Sequence, residues 1–555
     1  MFTDRRDMLA TMLGAGIGSA LLAAGATWLP SGSRAARSAP DLASNDAAIS
    51  VLQFGAGTGN SVQDSRAFNE ATRAAQAQGR QLVIPAGRYS IRNWKIARSG
   101  GPLEITAAAD AILQLAPEAL SREALLEVNA NNVTITGGVW DGNRPAMRES
   151  ENIVIRIHSD RLDDPQISGV TFRPTAVRNG NTDLVFAVAA RDCHVIGGEF
   201  SDAVGNLVLF ATGNATPGAL DADLVGCSIR DCVGDRRMNG ADATQGCFKF
   251  SRRGPEATAR DTIDCVVENC VARMAEHTED RNGAVCIEIW SPGNGGRIIG
   301  CRTEGGFLGQ SISRQNGGEI SAGTAMRAAY CGFEAAAGPN IAIRDCTAVC
   351  DGVTRVGISL DHQHADRWPN HNLLAADCRI FLPADTGIHV VGPDLETRNA
   401  WRALGTHLEA VRVELHPELA DVRAIRIQNA RQVTIGDNIQ IAGNAAPGAV
   451  AILLDRVRDV AIDDVAVSGI AGPIVQILAS GDGDVVDAIR IGELHSIDGR
   501  GDPVQLLRGG GQFGQDISLG CFRGGTVGGI TNPGFSHLSV AGNNAARPAP
   551  GACAR

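Results

Sequence analysis

Hydrophobic and polar positions alternate in short runs along most of this chain, and the runs recur. CFKFS (247–251), CIEIWS (286–291), QSISR (310–314), GISLD (357–361), GIHVV (387–391), AIRIQ (424–428) and AILLD (451–455) each carry apolar or small residues at every second position. VQIL (475–478) and VQLL (504–507) continue the series. A period of two is that of a half-buried strand. A second series lies between these runs: ARDCHVIGG, SIRDCVG, VVENCVA, IIGCRTEGG, AIRDCTAV and AADCRIF. It sets Cys193, Cys232, Cys270, Cys301, Cys346 and Cys378 at one phase of the repeat. NVTITGG, QVTIGDN and DVAIDDV fit the same phase without Cys, and the turns are built from Gly, Asn and Asp.

Many short strands in coils of roughly 22 to 45 residues predict an all-β fold. The architecture expected is a single-stranded right-handed parallel β-helix, a solenoid whose coils stack about 4.8 Å apart. A β-propeller is the alternative, but it needs four strands per blade at a steadier period. Spacings such as CSIRDC and CVVENC do not match a zinc pattern. The Cys series therefore predicts an interior ladder of small apolar side chains, with disulfides as the competing explanation. Ahead of the repeats, a helix is expected over Ser65 to Gln78, with Phe68, Ala71 and Ala75 on one face and Gly79 ending it. It would cover the open end that a solenoid otherwise exposes.

The stretches FGAGTGNSVQDSRAFNEATRAA and VIPAGRYSI resemble the start of the pectate-lyase/polygalacturonase superfamily of right-handed β-helices. The likeness covers about forty residues, and GTG and QDS stand where that pattern has GDG and DDT. The resemblance implies a pectin-lyase-like β-helix, usually exported and acting on polysaccharides. The GHG and RIK motifs of the polygalacturonases are absent downstream, so that family's catalytic residues are not carried over.

Composition narrows the partners. The chain has 555 residues, 67 Gly, 4% aromatics and a formal net charge of -11. That balance argues against nucleic acid as a partner. The N-terminal TDRRDMLATMLGAGIGSALLAAGATWL resembles a twin-arginine export signal, with Arg5 and Arg6 ahead of a stretch of modest hydrophobicity and Ala24-Gly25-Ala26 as a cleavage site. The domains expected are a signal peptide at 1–30, a linker at 31–45, a β-helix at 46–530 and a tail at 531–555. The implied location is periplasmic or secreted. No apolar run after the signal is long enough to hold the mature chain in a bilayer.

Reading the outward position of each aligned strand gives Lys249, Glu288, Ile312, Ser359, His389 and Arg426, then Ile452, Gln476 and Gln505. Charged and imidazole groups concentrate in the middle coils. The longest connections adjoin them, at 271–285, 314–340 and 361–377, and long loops on a regular scaffold are where function usually sits. DHQHADRWPNH (361–371) leaves one of these strands and is expected to rise over the groove. Its extended form would turn His362 and His364 to one side. Zinc would then need Asp366 or His371 as a third ligand. The reading adopted is a catalytic or sugar-binding loop, with no metal and no cofactor.

Glu288 and Asp361, two rungs apart by this alignment, form a carboxylate pair suited to hydrolysis. Lys249, Arg314, His362 and His389 suit β-elimination on a uronate, where a cation holds the carboxylate and a base takes the adjacent proton. Tyr330 is a proton donor, Trp290 and Trp368 are candidates to stack on sugar rings, and His364, Arg426 and Glu319 complete the binding set. DHQHAD also resembles a segment of alginate C5-epimerases, without its proline. The sequence thus predicts an exported enzyme cleaving glycosidic bonds of a polysaccharide or oligosaccharide, with hydrolysis favoured over a lyase or epimerase. A non-catalytic glycan-binding scaffold is the alternative of a different class. The oligomeric state is left open, a trimer included.

Overall fold

The structure is a computed structural model. It describes residues 48–540 except 148–150, 162, 214–221, 238–244, 253–259, 277–283, 363–371, 393–404, 445, 447, 480–484, 499–503, 509–511, 514–516 and 524–537. The signal, the linker and the end of the tail lie outside the described residues, as do His364, Asp366, Trp368 and His371.

The described residues form a parallel β-helix. One sheet carries the strands β1 (Phe248–Ser251), β2 (Val285–Asn294), β3 (Leu308–Asn316), β4 (Cys331–Ala336), β5 (Val356–Asp361), β6 (Thr386–Val391) and β7 (Arg423–Gln428). Each pairs in parallel with the next. Between β3 and β4 the chain makes two more strands, Glu319–Ser321 and Thr324–Met326, which pair with Ala342–Arg344 and Thr347–Val349 one coil on. A coil therefore has three strands. Inward positions stack as a ladder: Phe250, Ile289, Ile312, Ala335, Leu360, Val390 and Ile427 stand opposite one another in turn, all fully buried. Burying such side chains, at roughly 1.5–3 kcal/mol each for the large ones, holds the stack together.

The corner between the second and third strands of each coil shows why the repeat reads as it does. Asp231, Asn269, Asp345 and Asp377 all have left-handed backbone, with φ of 54, 53, 52 and 55°. Asn and Asp tolerate that conformation better than other residues with a side chain. The next residue turns inward, giving the ladder Cys232, Cys270, Cys301, Cys346, Cys378, with Gly323 between the third and fourth. Cys193 does not belong to it. It precedes the second strand of its coil, in a separate ladder with Cys227 and Cys265. The twelve cysteines from Cys193 to Cys378 are free thiols and buried. They donate weakly to backbone carbonyls, as Cys346 does to Arg344 at 3.1 Å. Burial pushes the thiols of Cys350 and Cys378 up to about 12.

The first helix, α1, spans Ser61–Gln78. Asn60 caps it by accepting from the amides of Val62 and Gln63, and Gly79 ends it at a φ of 61°. It lies against the strands Ala48–Ser50, Gln81–Ile84, Gly87–Ile91 and Trp94–Ala97, with Phe68 edge-on to Tyr89 and Trp94 at 5.2 and 4.9 Å. Among the described residues no helix is long and apolar enough to cross a membrane.

One expectation is corrected. The segment 314–340 is not an insertion but the ordinary three-strand coil that ends in β4. It adds a rung between QSISR and GISLD that the sequence reading omitted.

Candidate functional site

The outward residues of the first sheet form one continuous column. The strand registers set Lys249, Glu288, Ser311, Glu334, Ser359, His389 and Arg426 opposite one another in that order, from β1 to β7. These positions face away from the core, yet Glu288, Glu334, Ser359 and His389 are 4, 5, 4 and 7% exposed. Charged groups are rarely so buried unless paired. Lys249 Nζ lies 2.5 Å from Glu288 Oε2. The Ser311 hydroxyl donates to Glu334 Oε2 at 2.7 Å. Glu288 and Glu334 are two rungs apart, a separation of roughly 9.6 Å.

One flank of this column is apolar. Val285, Leu308, Cys331 and Val356 form a satellite cluster outside the core, with Phe307 and Tyr330 packed on it. The rings of Phe307 and Tyr330 stack at 5.1 Å and 7°. Burial pushes the Tyr330 phenol up, with further increments from Cys331, Glu334 and Asp361, so it keeps its proton at neutral pH. The other flank is two residues further along each strand. There Trp290 is half-buried, with the Arg314 guanidinium 5.0 Å over its ring. Arg314 reaches it from a left-handed backbone at φ 63°.

The β6–β7 end is basic. Asp385 pairs with Arg423 at 3.0 Å and Arg355 at 3.7 Å. His389 lies among Arg426, Arg423, Asp385 and Gln428, and burial and then Arg426 bring its imidazole down to about 3. It is neutral through the physiological range. Among the described residues, His389 Nε2 and Arg426 Nε have no hydrogen-bond partner.

The structure thus brings together Lys249, Glu288, His389 and Arg426 in one column, with Trp290, Arg314 and Tyr330 beside it. Other expectations change. Ile312 and Ile452 are core residues, and Ser311 and Leu453 hold the outward positions. Asp361 stands in the Trp290 column, opposite Ala336 and three rungs from Trp290, so it is roughly 14 Å from the Glu288 rung rather than two rungs away. His362 does not rise over the groove: it is fully buried, with Nε2 2.7 Å from Thr406 Oγ1. Glu319 belongs to another sheet, between Arg297 and Ala342. His364 and Trp368 lie outside the described residues. Ser311, Glu334, Arg355, Asp385 and Arg423 were not foreseen, and only the alternation in CGFEAA could have pointed to Glu334.

No family model matches this chain, and no curated protein matches it. Solved structures do. A Geobacillus virus E2 protein shares 12% identity, with 66% of this chain and 60% of that one covered and a TM-score of 0.38. The family 28 exopolygalacturonase of Yersinia enterocolitica shares 13%, covering 72% and 77%, with a TM-score of 0.37. The tailspike of E. coli bacteriophage HK620, solved with a pentasaccharide, shares 10%, covering 84% and 79%, with a TM-score of 0.45. The architecture itself rests on the strand registers. They define a parallel β-helix protein with a column of buried polar groups on one outer face.

Proposed function

We propose that this chain is a carbohydrate-active enzyme that cleaves glycosidic bonds of a polysaccharide lying along the first sheet. The observation that carries this reading is the pair Glu288 and Glu334: two nearly buried carboxyl groups in one column, two rungs apart. Their separation of roughly 9.6 Å is close to the ~6.5–9.5 Å that leaves room for a water opposite the leaving group in inverting hydrolysis. Glu288, in contact with Lys249, suits the base that activates water. Glu334 carries the proton to the leaving oxygen, with Ser311 fixing its rotamer. Trp290, with Arg314 on one face, and the Phe307–Tyr330 stack supply aromatic surface on both sides for sugar rings.

The basic β6–β7 end favours a second reading, β-elimination on a uronate. There a neutral His389 beside Arg426 and Arg423 would be the base and the cations would hold the carboxylate. A screen of neutral and uronic-acid glycans, read in parallel for reducing ends and for unsaturated-uronate absorbance, separates the two. Reducing ends alone support hydrolysis, and unsaturation supports elimination. Silence across a broad panel would favour a glycan-binding scaffold. Inversion at the anomeric carbon, followed by NMR, is the expected stereochemistry of hydrolysis. Export by the twin-arginine route belongs to the same reading. Replacing Arg5 and Arg6 with Lys should retain the chain in the cytoplasm, and unchanged export would overturn it.

A further inference from the structure

A second cluster of chemistry-bearing side chains lies far along the solenoid, on strands the groove does not use. Strand β8 (Arg458–Ile470) pairs with Arg431–Ile435 and then with Ile439–Asn444, so it runs through the corner between the second and third sheets. Strand β9 (Val485–Ser496) pairs with β8 one coil on, setting Glu493 opposite Asp464 and His495 opposite Ala466. His495, two residues beyond Glu493, projects to the same side. One ligand atom from each of Asp464, Glu493 and His495 falls within 4.8 Å of the others.

We propose that Asp464, Glu493 and His495 bind a divalent first-row transition-metal ion of the zinc or manganese type. The geometry carries the argument. His495 Nε2 lies 3.1 Å from Glu493 Oε2 and 3.4 Å from Asp464 Oδ1. The second contact is beyond hydrogen-bond length, which ends near 3.2 Å for nitrogen donors. Both match the spacing of neighbouring ligands on one ion. Metal–ligand bonds of about 2.0–2.2 Å put ligand atoms roughly 2.9–3.4 Å apart in octahedral or tetrahedral arrangements. The two carboxylates also face each other across a single rung. Imidazole with two carboxylates selects transition metals over calcium, which prefers six to eight oxygens.

The site has room for an ion to enter and to keep water ligands. The side chains of Asp464, Glu493 and His495 are 50, 43 and 29% exposed. An ion held there ties two successive coils together toward the C-terminal end of the stack, where a solenoid has fewer neighbours to stabilise it. Its role is that of a staple, independent of the groove on the first sheet. Binding should weaken as pH falls, because protons compete for all three ligands.

The test is calorimetric titration of the chelator-treated full chain with Zn2+, Mn2+ and Ca2+, alongside thermal unfolding with and without each ion. The expected result is saturable Zn2+ or Mn2+ binding, weaker Ca2+ binding, and a higher unfolding temperature with the ion bound. H495A and D464N should each lower affinity at least tenfold. H364A/H371A, made in the separate His-rich segment, should leave it unchanged. Circular dichroism of each variant checks its fold. Absence of binding by any ion would overturn the proposal. So would binding unchanged in H495A and D464N, or binding lost only in H364A/H371A.

Discussion

His389 offers a test of how far the column is desolvated. In the fold its imidazole is brought down to about 3, first by burial and then by Arg426. In the unfolded chain an imidazole titrates near 6.5. Below about 6.5 the unfolded state takes up a proton that the folded state refuses until about pH 3. The unfolded state binds more protons across that window, so stability falls as pH falls through it. At roughly 1.36 kcal/mol per unit, the loss approaches 4–5 kcal/mol at the bottom of the window and about 2.7 kcal/mol at pH 4.5. Substituting Gln removes the titration. Urea unfolding of wild type and H389Q should give similar stabilities at pH 7.5. At pH 4.5, H389Q should be the more stable relative to wild type by about 2–3 kcal/mol. His158 and His194 are also lowered by burial, but their contributions are common to both proteins and cancel in the difference. Parallel pH dependences for the two proteins would show that His389 is solvated and that the column is open to water.

Three further outcomes follow from the same geometry. K249M leaves the Glu288 carboxylate stranded at a site where its side chain is 5% exposed; it should cost about 3–5 kcal/mol, and K249M/E288L should recover most of that, both read from unfolding midpoints. G357A puts a Cβ 2.5 Å from Ile380 Cγ2 and 2.7 Å from the Gly387 carbonyl oxygen, and overpacking of this kind should destabilise by about 1–3 kcal/mol in thermal unfolding. The twelve buried thiols should resist an aromatic disulfide reagent at pH 8 in the native protein and react fully in urea; fast native labelling of more than two of the chain's 14 cysteines would contradict the ladder.

Much of the scaffold was legible because its rules are local. Strand runs such as GISLD and AIRIQ alternate cleanly, and Asp-Cys or Asn-Cys pairs mark the left-handed corner and the inward residue after it. The coil bearing Glu334 was hidden because those signals fail there. Its corner residue is Ala322, at a φ of 52°, and Gly323 replaces the ladder cysteine. The faces of QSISR were misread for a related reason. Gln310 points inward, fully buried, and donates to the Cys301 carbonyl at 3.0 Å, so polarity marks the wrong side. A slip of one residue exchanges the two faces, which put Ile312 outside in place of Ser311. The missing rung then brought Asp361 too close to Glu288, while Glu334, the acidic residue two rungs from Glu288 in the same column, sat in a run that looked like a loop. The basic end was read only in part, because Arg355, Asp385 and Arg423 come from strand ends where alternation carries no information.

The most direct measurement compares polysaccharide cleavage by wild type, E288Q, E334Q and D361N on whichever glycan the screen selects. Wild type should release reducing ends without unsaturated products. E288Q and E334Q should each lose at least about a hundredfold in rate, whereas D361N should stay within a few fold of wild type. Cleavage that survives both E288Q and E334Q, or that fails in D361N alone, would contradict the assignment of the column as the catalytic site.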